Sequence, residues 1–237
     1  MLNAKKSLGQ NFLVDLNVIK KIINLVDIEK RNILEIGPGN GALTNEILKK
    51  KPKSLILIEK DNFLAERLEA KFHKLKNVKI YNSDILNFEL EKNLKPRSII
   101  FGNLPYNISS QILVKILKLK KWPPSFSDLI FMFQKELSEK IIGKYKSKDY
   151  GRISILTNYR LNFCQKFLVS KNCFKPKPKI TSCVLHLTPK TKNQVDIKKI
   201  SNLEKVTNIL FSNKRKMIKK NLLKIISNDQ IKNDLII

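Results

Sequence analysis

The sequence has few of the residues that build disulfide scaffolds or metal sites. Its 237 residues include three cysteines and two histidines. Cys164, Cys173 and Cys183 are odd in number and form no Cys-x-x-Cys pair, which argues against a disulfide framework and a zinc site. We expect buried or idle thiols, structural roles for His73 and His186, and no metal site.

Long hydrophobic runs are also missing. No apolar stretch approaches the ~20 residues that a membrane-spanning helix needs, and the first ten residues lack the hydrophobic segment of a secretion signal. These absences predict a cytoplasmic protein without a membrane partner. The hydrophobic content of 42% is normal for a soluble core, and the length allows one sizeable domain with a small appendage.

Acidic residues are scarce relative to basic ones. The chain has 20 Asp and Glu against 47 Lys and Arg, a formal net charge of +27. Such an excess predicts a polyanionic partner, nucleic acid first, because neutralised phosphates release their counterions. Only six of the basic residues are arginine, and a bias toward AT-rich codons would by itself enrich lysine. Part of the charge is therefore open to a second interpretation, compositional drift.

The order of strands and helices predicts an α/β fold. Apolar runs at residues 32–36, 54–58, 78–81, 98–101 and 128–133 read as strands of a buried sheet, and segments with helical spacing of apolar residues separate them. Such alternation builds a mostly parallel sheet with helices on both faces. We therefore predict a Rossmann-like sheet.

A glycine-rich loop follows the first of these strands. Gly37, Gly39 and Gly41 lie between the strand and the next helix, where glycine lets a ligand approach the backbone and the helix N-terminus. The spacing is G-x-G-x-G and not the G-x-G-x-x-G of dinucleotide-binding proteins. The loop indicates a nucleotide-type ligand, although one such loop is weak evidence.

Polar residues also follow the next three strands. Glu59 comes about twenty residues after the glycines, where an acid can bind both hydroxyls of a ribose. Asp84 follows the third strand and Asn103 the fourth. One acid in such a place is usually a cap or a solvated loop residue, but four polar signatures in succession are hard to obtain by chance. Because parallel strands end at one edge of a sheet, we predict a ligand site there.

The turn Asn103-Leu104-Pro105-Tyr106 at this edge suits a nucleobase. Asn103 offers an amide oxygen, Pro105 stiffens the neighbouring carbonyls, and Tyr106 adds a flat ring. Acceptors slightly out of the plane of an adenine would favour a pyramidal amino nitrogen with its lone pair directed at an incoming methyl group. Catalysis would then rest on position and electrostatics, without a general base. The alternative is an ordinary turn in which Asn103 caps a helix and Tyr106 packs.

The segments around this core predict contacts with the substrate. A basic arm, residues 5–13, precedes the first helix, and Ser109 and Ser110 are candidate helix caps. Strands at residues 167–169 and 181–187 form a predicted antiparallel edge around the proline-rich loop 173–179. Phe174 in that loop is either the second wall of a base-stacking slot or a buried anchor.

Two basic clusters have an open role, since both phosphate contacts and solvation explain them. Lys144, Lys146 and Lys148 lie in one loop, and residues 214–216 form a basic triplet near the C-terminus. The sequence becomes Lys- and Asn-rich beyond Pro189. We predict a domain boundary there, with domains at residues 1–189 and 190–237.

Taken in order, several motifs resemble the ribosomal RNA adenine dimethyltransferases, and among these the bacterial small-subunit type. The resemblance covers roughly residues 5–222 and is highly specific. It rests on residues 10–13, 35–39, Glu59, Asp84, 103–109, 150–154 and 174–179. It implies a class I methyltransferase that uses S-adenosylmethionine to dimethylate two adjacent adenosines in the 3′-terminal hairpin loop of 16S ribosomal RNA, in the 30S pre-ribosomal particle. A monomer with a role in subunit biogenesis is expected.

The resemblance also implies a role for each matching residue. Asn11 and Leu13 would close over the cofactor and Asn103 would lie between cofactor and target, with backbone acceptors and stacking rings on the target side. The roles carried over are Gly37 for the methionine part, Glu59 for the ribose, Asp84 for the cofactor adenine, Leu104 and Pro105 for the target amine, and Tyr106 and Phe174 for the target ring.

Three other functions compete with this assignment. The antibiotic-resistance methyltransferases of large-subunit rRNA share the Asn-x-Pro-Tyr turn, but they typically carry Ile where this chain has Leu104. DNA adenine methyltransferases usually have Asp/Asn-Pro-Pro-Tyr. A non-catalytic factor that binds pre-ribosomal RNA is the alternative from another class. One departure from the family is a C-terminal helical domain that is expected to be shortened.

Overall fold

The computed structural model describes residues 9–191 and 200–212. The basic triplet at 214–216 and most of the predicted second domain lie outside these residues, so both remain predictions. The strands are β1 (Phe12–Leu13), β2 (Asn32–Ile36), β3 (Ser54–Glu59), β4 (Val78–Asn82), β5 (Ser98–Asn103), β6 (Phe126–Gln134), β7 (Leu161–Val169), β8 (Phe174–Lys175) and β9 (Ser182–Pro189). The helices are α1 (Leu16–Ile23), α2 (Ala42–Lys49), α3 (Asn62–Phe72), α4 (Leu90–Asn93), α5 (Ser109–Leu117), α6 (Lys135–Ile141), α7 (Arg152–Arg160) and α8 (Ile200–Phe211).

Seven of the described strands form one sheet in the order β4-β3-β2-β5-β6-β9-β7. Strands β2 to β6 pair in parallel, whereas β9 runs antiparallel to both β6 and β7. The α/β prediction and the predicted antiparallel edge are therefore confirmed. The chain order reverses between β2 and β5, and open α/β sheets bind their ligands at such a switch point.

The core lies on both faces of the sheet. All six residues of β3 are buried, as parallel strands with helices on either side require. One apolar cluster contains α5 and the other contains α1, α2 and α3. Asp15 caps the N-terminus of α1, and its carboxylate accepts hydrogen bonds from the N–H groups of Asn17 (2.9 Å) and Val18 (3.0 Å).

Two local predictions were wrong. Ser109 and Ser110 do not cap α5 through their side chains, because the helix begins after Ile108 without a side-chain cap. The segment 173–179 is not a loop throughout, since β8 pairs antiparallel with β1, Phe12 opposite Lys175 and Leu13 opposite Phe174. None of the described helices is both long and apolar enough to cross a lipid bilayer.

Candidate active site

A cavity lies at the carboxyl edge of the sheet, across the ends of β2, β3 and β5. It brings together nine of the ten residues that the sequence singled out. They are Asn11, Leu13, Gly37, Glu59, Asp84, Asn103, Leu104, Pro105 and Tyr106. Segments almost a hundred residues apart in the chain therefore line one site.

The glycine loop forms the floor of the cavity in a conformation that needs glycine. Gly37, Gly39 and Gly41 have φ angles of +67°, +59° and +78°, which residues with a Cβ rarely adopt. A Cβ atom on Gly39 would also lie 3.0 Å from the ring of Phe12. The sequence signal of the glycines thus reflects both the turn and the close approach of the N-terminal arm.

Glu59 ends β3 and lies almost wholly buried beside this loop. Its two carboxylate oxygens accept hydrogen bonds from the backbone N–H groups of Gly39 and Asp61, each at 2.9 Å. Burial raises the pKa of Glu59, and the backbone donors oppose that effect. The carboxylate therefore fixes the glycine loop and offers its remaining lone pairs to the cavity.

Asp84 lies on the loop after β4, where its two oxygens have different partners. The backbone N–H of Leu86 donates to one oxygen at 2.9 Å, and the Lys60 ammonium donates to the other at 2.7 Å. The hydrogen bond from Lys60 holds the pKa of Asp84 below its usual range. The sequence did not identify Lys60 as a site residue, although its place directly after Glu59 could have shown it.

The N-terminal arm crosses the cavity and contacts both sides of it. The Asn103 Nδ2 donates to the backbone carbonyl of Asn11 at 3.0 Å, and the Gln10 Nε2 donates to Asp61 Oδ2 at 3.2 Å. The first contact fixes the orientation of the Asn103 amide, with Nδ2 toward the arm. Gln10 and Asp61 were also missed, because their contact spans 51 positions.

The turn after Asn103 is closed by its own hydrogen bonds. The Pro105 carbonyl accepts from the N–H of Ile108 at 3.2 Å, and the Ser109 hydroxyl donates to the Tyr106 carbonyl at 3.2 Å. The side chain of Leu104 is buried. Tyr106 is half-buried, and burial raises the pKa of its phenol. The turn thus presents a rigid backbone and one aromatic ring to the cavity.

Phe174 is the one predicted site residue that does not line this cavity. Its side chain is 2% exposed and belongs to the same apolar cluster as Leu13. The physical reason is the pairing of β8 with β1, which places the ring against the core. Of the two roles that the sequence left open, the buried anchor matches this conformation. A stacking role would require the ring to leave its contacts.

A buried acid inside β2 was also missed. Glu35 is 1% exposed and accepts a hydrogen bond from the Thr44 hydroxyl at 2.7 Å. Burial raises its pKa to about 7. An acid within an apolar strand was the available sequence signal, because such burial is costly unless the group is paired.

Three features define a class I methyltransferase, a class that uses S-adenosylmethionine. They are the sheet order, the antiparallel strand β9, and a glycine loop followed by acids after successive strands. The sequence model of the family described as ribosomal RNA adenine dimethylase matches residues 1–235. The chain belongs to this family, and it is an S-adenosylmethionine-dependent rRNA adenine dimethyltransferase.

Individual relatives agree with the family. The chain is 46% identical over 230 residues to ribosomal RNA small subunit methyltransferase A of Pelagibacter ubique, covering 96% of this chain and 86% of that protein. The corresponding protein of Francisella tularensis subsp. novicida is 38% identical over 232 residues, with 96% and 87% covered.

Two solved structures extend the comparison. A dimethyladenosine transferase from Plasmodium falciparum has a TM-score of 0.75 at 26% identity, covering 94% of this chain and 78% of that one. The 23S rRNA methyltransferase ErmE has a TM-score of 0.69 at 26% identity, with 90% and 84% covered.

Proposed function

We propose that the protein dimethylates the 6-amino groups of two adjacent adenosines in the 3′-terminal hairpin loop of small-subunit ribosomal RNA. The observation that carries the proposal is the position of the Asn103–Tyr106 turn on the same cavity as the glycine loop. The names of the relatives at 38–46% identity support the small subunit as the substrate, and so does Leu104 in place of Ile. The modification would belong to small-subunit biogenesis.

The chemistry of the cavity supports the cofactor roles. Glycines with positive φ leave backbone atoms accessible in the cavity, and the carboxylates of Glu59 and Asp84 line it as acceptors for the donor groups of an adenosine. We assign Gly37 to the methionine part, Glu59 to the ribose, Asp84 to the adenine, and Asn11 and Leu13 to the closing arm. When bound, S-adenosylmethionine supplies an electrophilic methyl group.

The turn is suited to activating an aromatic amine. Since Nδ2 of Asn103 is held by Asn11, its Oδ1 is the atom that would accept from the target amino group. The Pro105 carbonyl already closes the turn, so we assign the second acceptor role to the Leu104 carbonyl. Two acceptors that hold the amino hydrogens would direct the nitrogen lone pair toward the methyl group, and the methylated nitrogen then loses its proton without a general base.

The target adenosine must leave its base stack to reach this turn. Extrusion costs a few kcal/mol, and stacking on an aromatic side chain contributes roughly 1–3 kcal/mol per base. We assign this stacking to Tyr106, which lines the cavity, with Phe174 as a second wall only if its ring turns outward. The 30S particle as partner and the cytoplasmic location follow from this substrate and remain predictions, and the monomeric state is a separate prediction.

A direct assay tests the proposal. The protein is incubated with methyl-labelled S-adenosylmethionine and either 30S particles that lack the modification or naked 23S rRNA, and the methylated nucleotides are mapped. Two dimethylated adjacent adenosines near the 3′ end of the small-subunit RNA are expected. Label in 23S rRNA alone would assign the protein to the substrate of its structural relative ErmE, and label in neither RNA would contradict both assignments.

A further inference from the structure

Ser182 is a buried residue at the catalytic edge that neither the sequence motifs nor the assigned roles explain. It is the first residue of β9 and lies opposite Gln134, the last residue of β6, and Val169, the last residue of β7. Because β9 runs antiparallel to these strands, its beginning reaches the edge where they end. Ser182 is fully buried, although serine is usually exposed.

The hydroxyl of Ser182 shares a short hydrogen bond with the phenol hydroxyl of Tyr106. The two residues are 76 positions apart, so this contact joins the catalytic turn to a different part of the sheet. The contact fixes the far end of the Tyr106 side chain, and the Ser109 hydroxyl donates to the backbone carbonyl of Tyr106. The ring cannot swing away from Ser182 without leaving a half-buried phenol unpaired, which is costly.

We propose that Ser182 is a positioning residue for methyl transfer: its hydroxyl holds the Tyr106 ring in the position on which the extruded adenine stacks. The inference rests on the stacking role that we assign to Tyr106. Ser182 itself does not touch the reacting atoms. Without this hydrogen bond, Tyr106 should still offer an apolar surface, but its ring should sample a wider range of positions. Fewer bound adenosines would then have their amino nitrogen in line with the methyl group.

The competing explanation is that the hydroxyl of Ser182 only satisfies a buried polar group. In that case Ser182→Ala would lower the stability of the folded protein and would leave the kinetics of the folded fraction unchanged. If Ser182 positions the ring, Ser182→Ala would lower kcat with little change in the KM for S-adenosylmethionine, because Glu59 and Asp84 are untouched. The two roles therefore differ in what they change.

The experiment is a double-mutant cycle on turnover with unmodified 30S particles. The variants are Ser182→Ala, Tyr106→Phe, the double variant and Tyr106→Ala. Ser138→Ala is the matched control, because Ser138 is also buried and its hydroxyl donates to a backbone carbonyl, that of Lys135. Thermal unfolding and the KM for S-adenosylmethionine are measured for every variant.

We expect Ser182→Ala and Tyr106→Phe each to lower kcat about tenfold, and the double variant to be no slower than either, since both remove one hydrogen bond. Tyr106→Ala should be much slower, and Ser138→Ala should have normal kcat. Additive effects of the two single changes on kcat would overturn the positioning role of Ser182 but not the stacking role of Tyr106. The same holds if Ser182→Ala has a normal kcat while Tyr106→Ala is slow. Normal kcat in Tyr106→Ala would overturn the stacking role as well.

Discussion

The two halves of the active site are held in different ways. On the cofactor side, Glu59 and Asp84 are fixed by partners at most 24 positions away. On the target side, Asn103 is fixed by a residue 92 positions away and Tyr106 by one 76 positions away. The cofactor side is thus built by local turns at strand ends, whereas the target side depends on contacts between segments that are distant in the chain.

The largest expected effect lies on the target side. Asn103→Ala removes the proposed acceptor for the target amine, and the loss of one such polar contact in the transition state costs about 100-fold in kcat. Binding of S-adenosylhomocysteine, measured by calorimetry, should be nearly unchanged, since Glu59 and Asp84 remain. Asn162→Ala on the exposed strand β7 is the control. A variant of Asn103 with normal kcat would contradict the acceptor role.

On the cofactor side, the buried acid Glu35 in β2 can be tested through the pH dependence of the protein's stability. The pKa of Glu35 is raised from 4.5 to about 7, so the folded protein holds a proton that the unfolded chain releases in this range, and stability falls as the pH rises through it. Glu35→Gln keeps an acceptor for Thr44 but cannot ionise. It should therefore be more stable than the native protein at pH 8, by up to about 3 kcal/mol.

Urea unfolding at several pH values measures this difference, with Glu66→Gln on the exposed face of α3 as the control. The stability of Glu35→Gln should depend less on pH between 4.5 and 7 than that of the native protein. If the two proteins lose stability in parallel across this range, the acid is not protonated in the fold.

The arm that joins the two halves can be tested at Gln10. Gln10→Glu places a carboxylate beside Asp61 and should weaken binding of S-adenosylhomocysteine about tenfold, because the repulsion opens the contact next to Glu59. Asp61→Asn alone should have a small effect. The double variant restores a donor opposite an acceptor and should recover most of the affinity. No recovery would mean that Gln10 does not act through Asp61.

The smallest expected effect concerns Lys60. Its hydrogen bond lowers the pKa of Asp84, so Lys60→Met should move that pKa back toward its ordinary value. The affinity for S-adenosylhomocysteine should then begin to fall at a higher pH on the acidic side, with a change of only a few-fold at neutral pH. Lys79→Met is a matched control away from the cavity, and identical pH profiles would contradict the pairing.

The same contrast explains how much could be predicted from the sequence. Glu59, Asp84 and Asn103 were placed on one edge because parallel strands end together, a rule that needs only local patterns. The pairing of Phe12 with Lys175 and the contact of Gln10 with Asp61 have no local signal. The burial of Phe174 was undecided for the same reason, since it follows from a strand partner at the other end of the chain.

The antiparallel direction of β9 has a consequence for how such enzymes diversify. The segment between Val169 and Ser182 leaves the sheet and returns to it at the same edge, so its length can change without a new crossover. The part of this segment outside the pairing of β8 with β1 can therefore vary while the strands that carry the glycine loop and the acids stay constant.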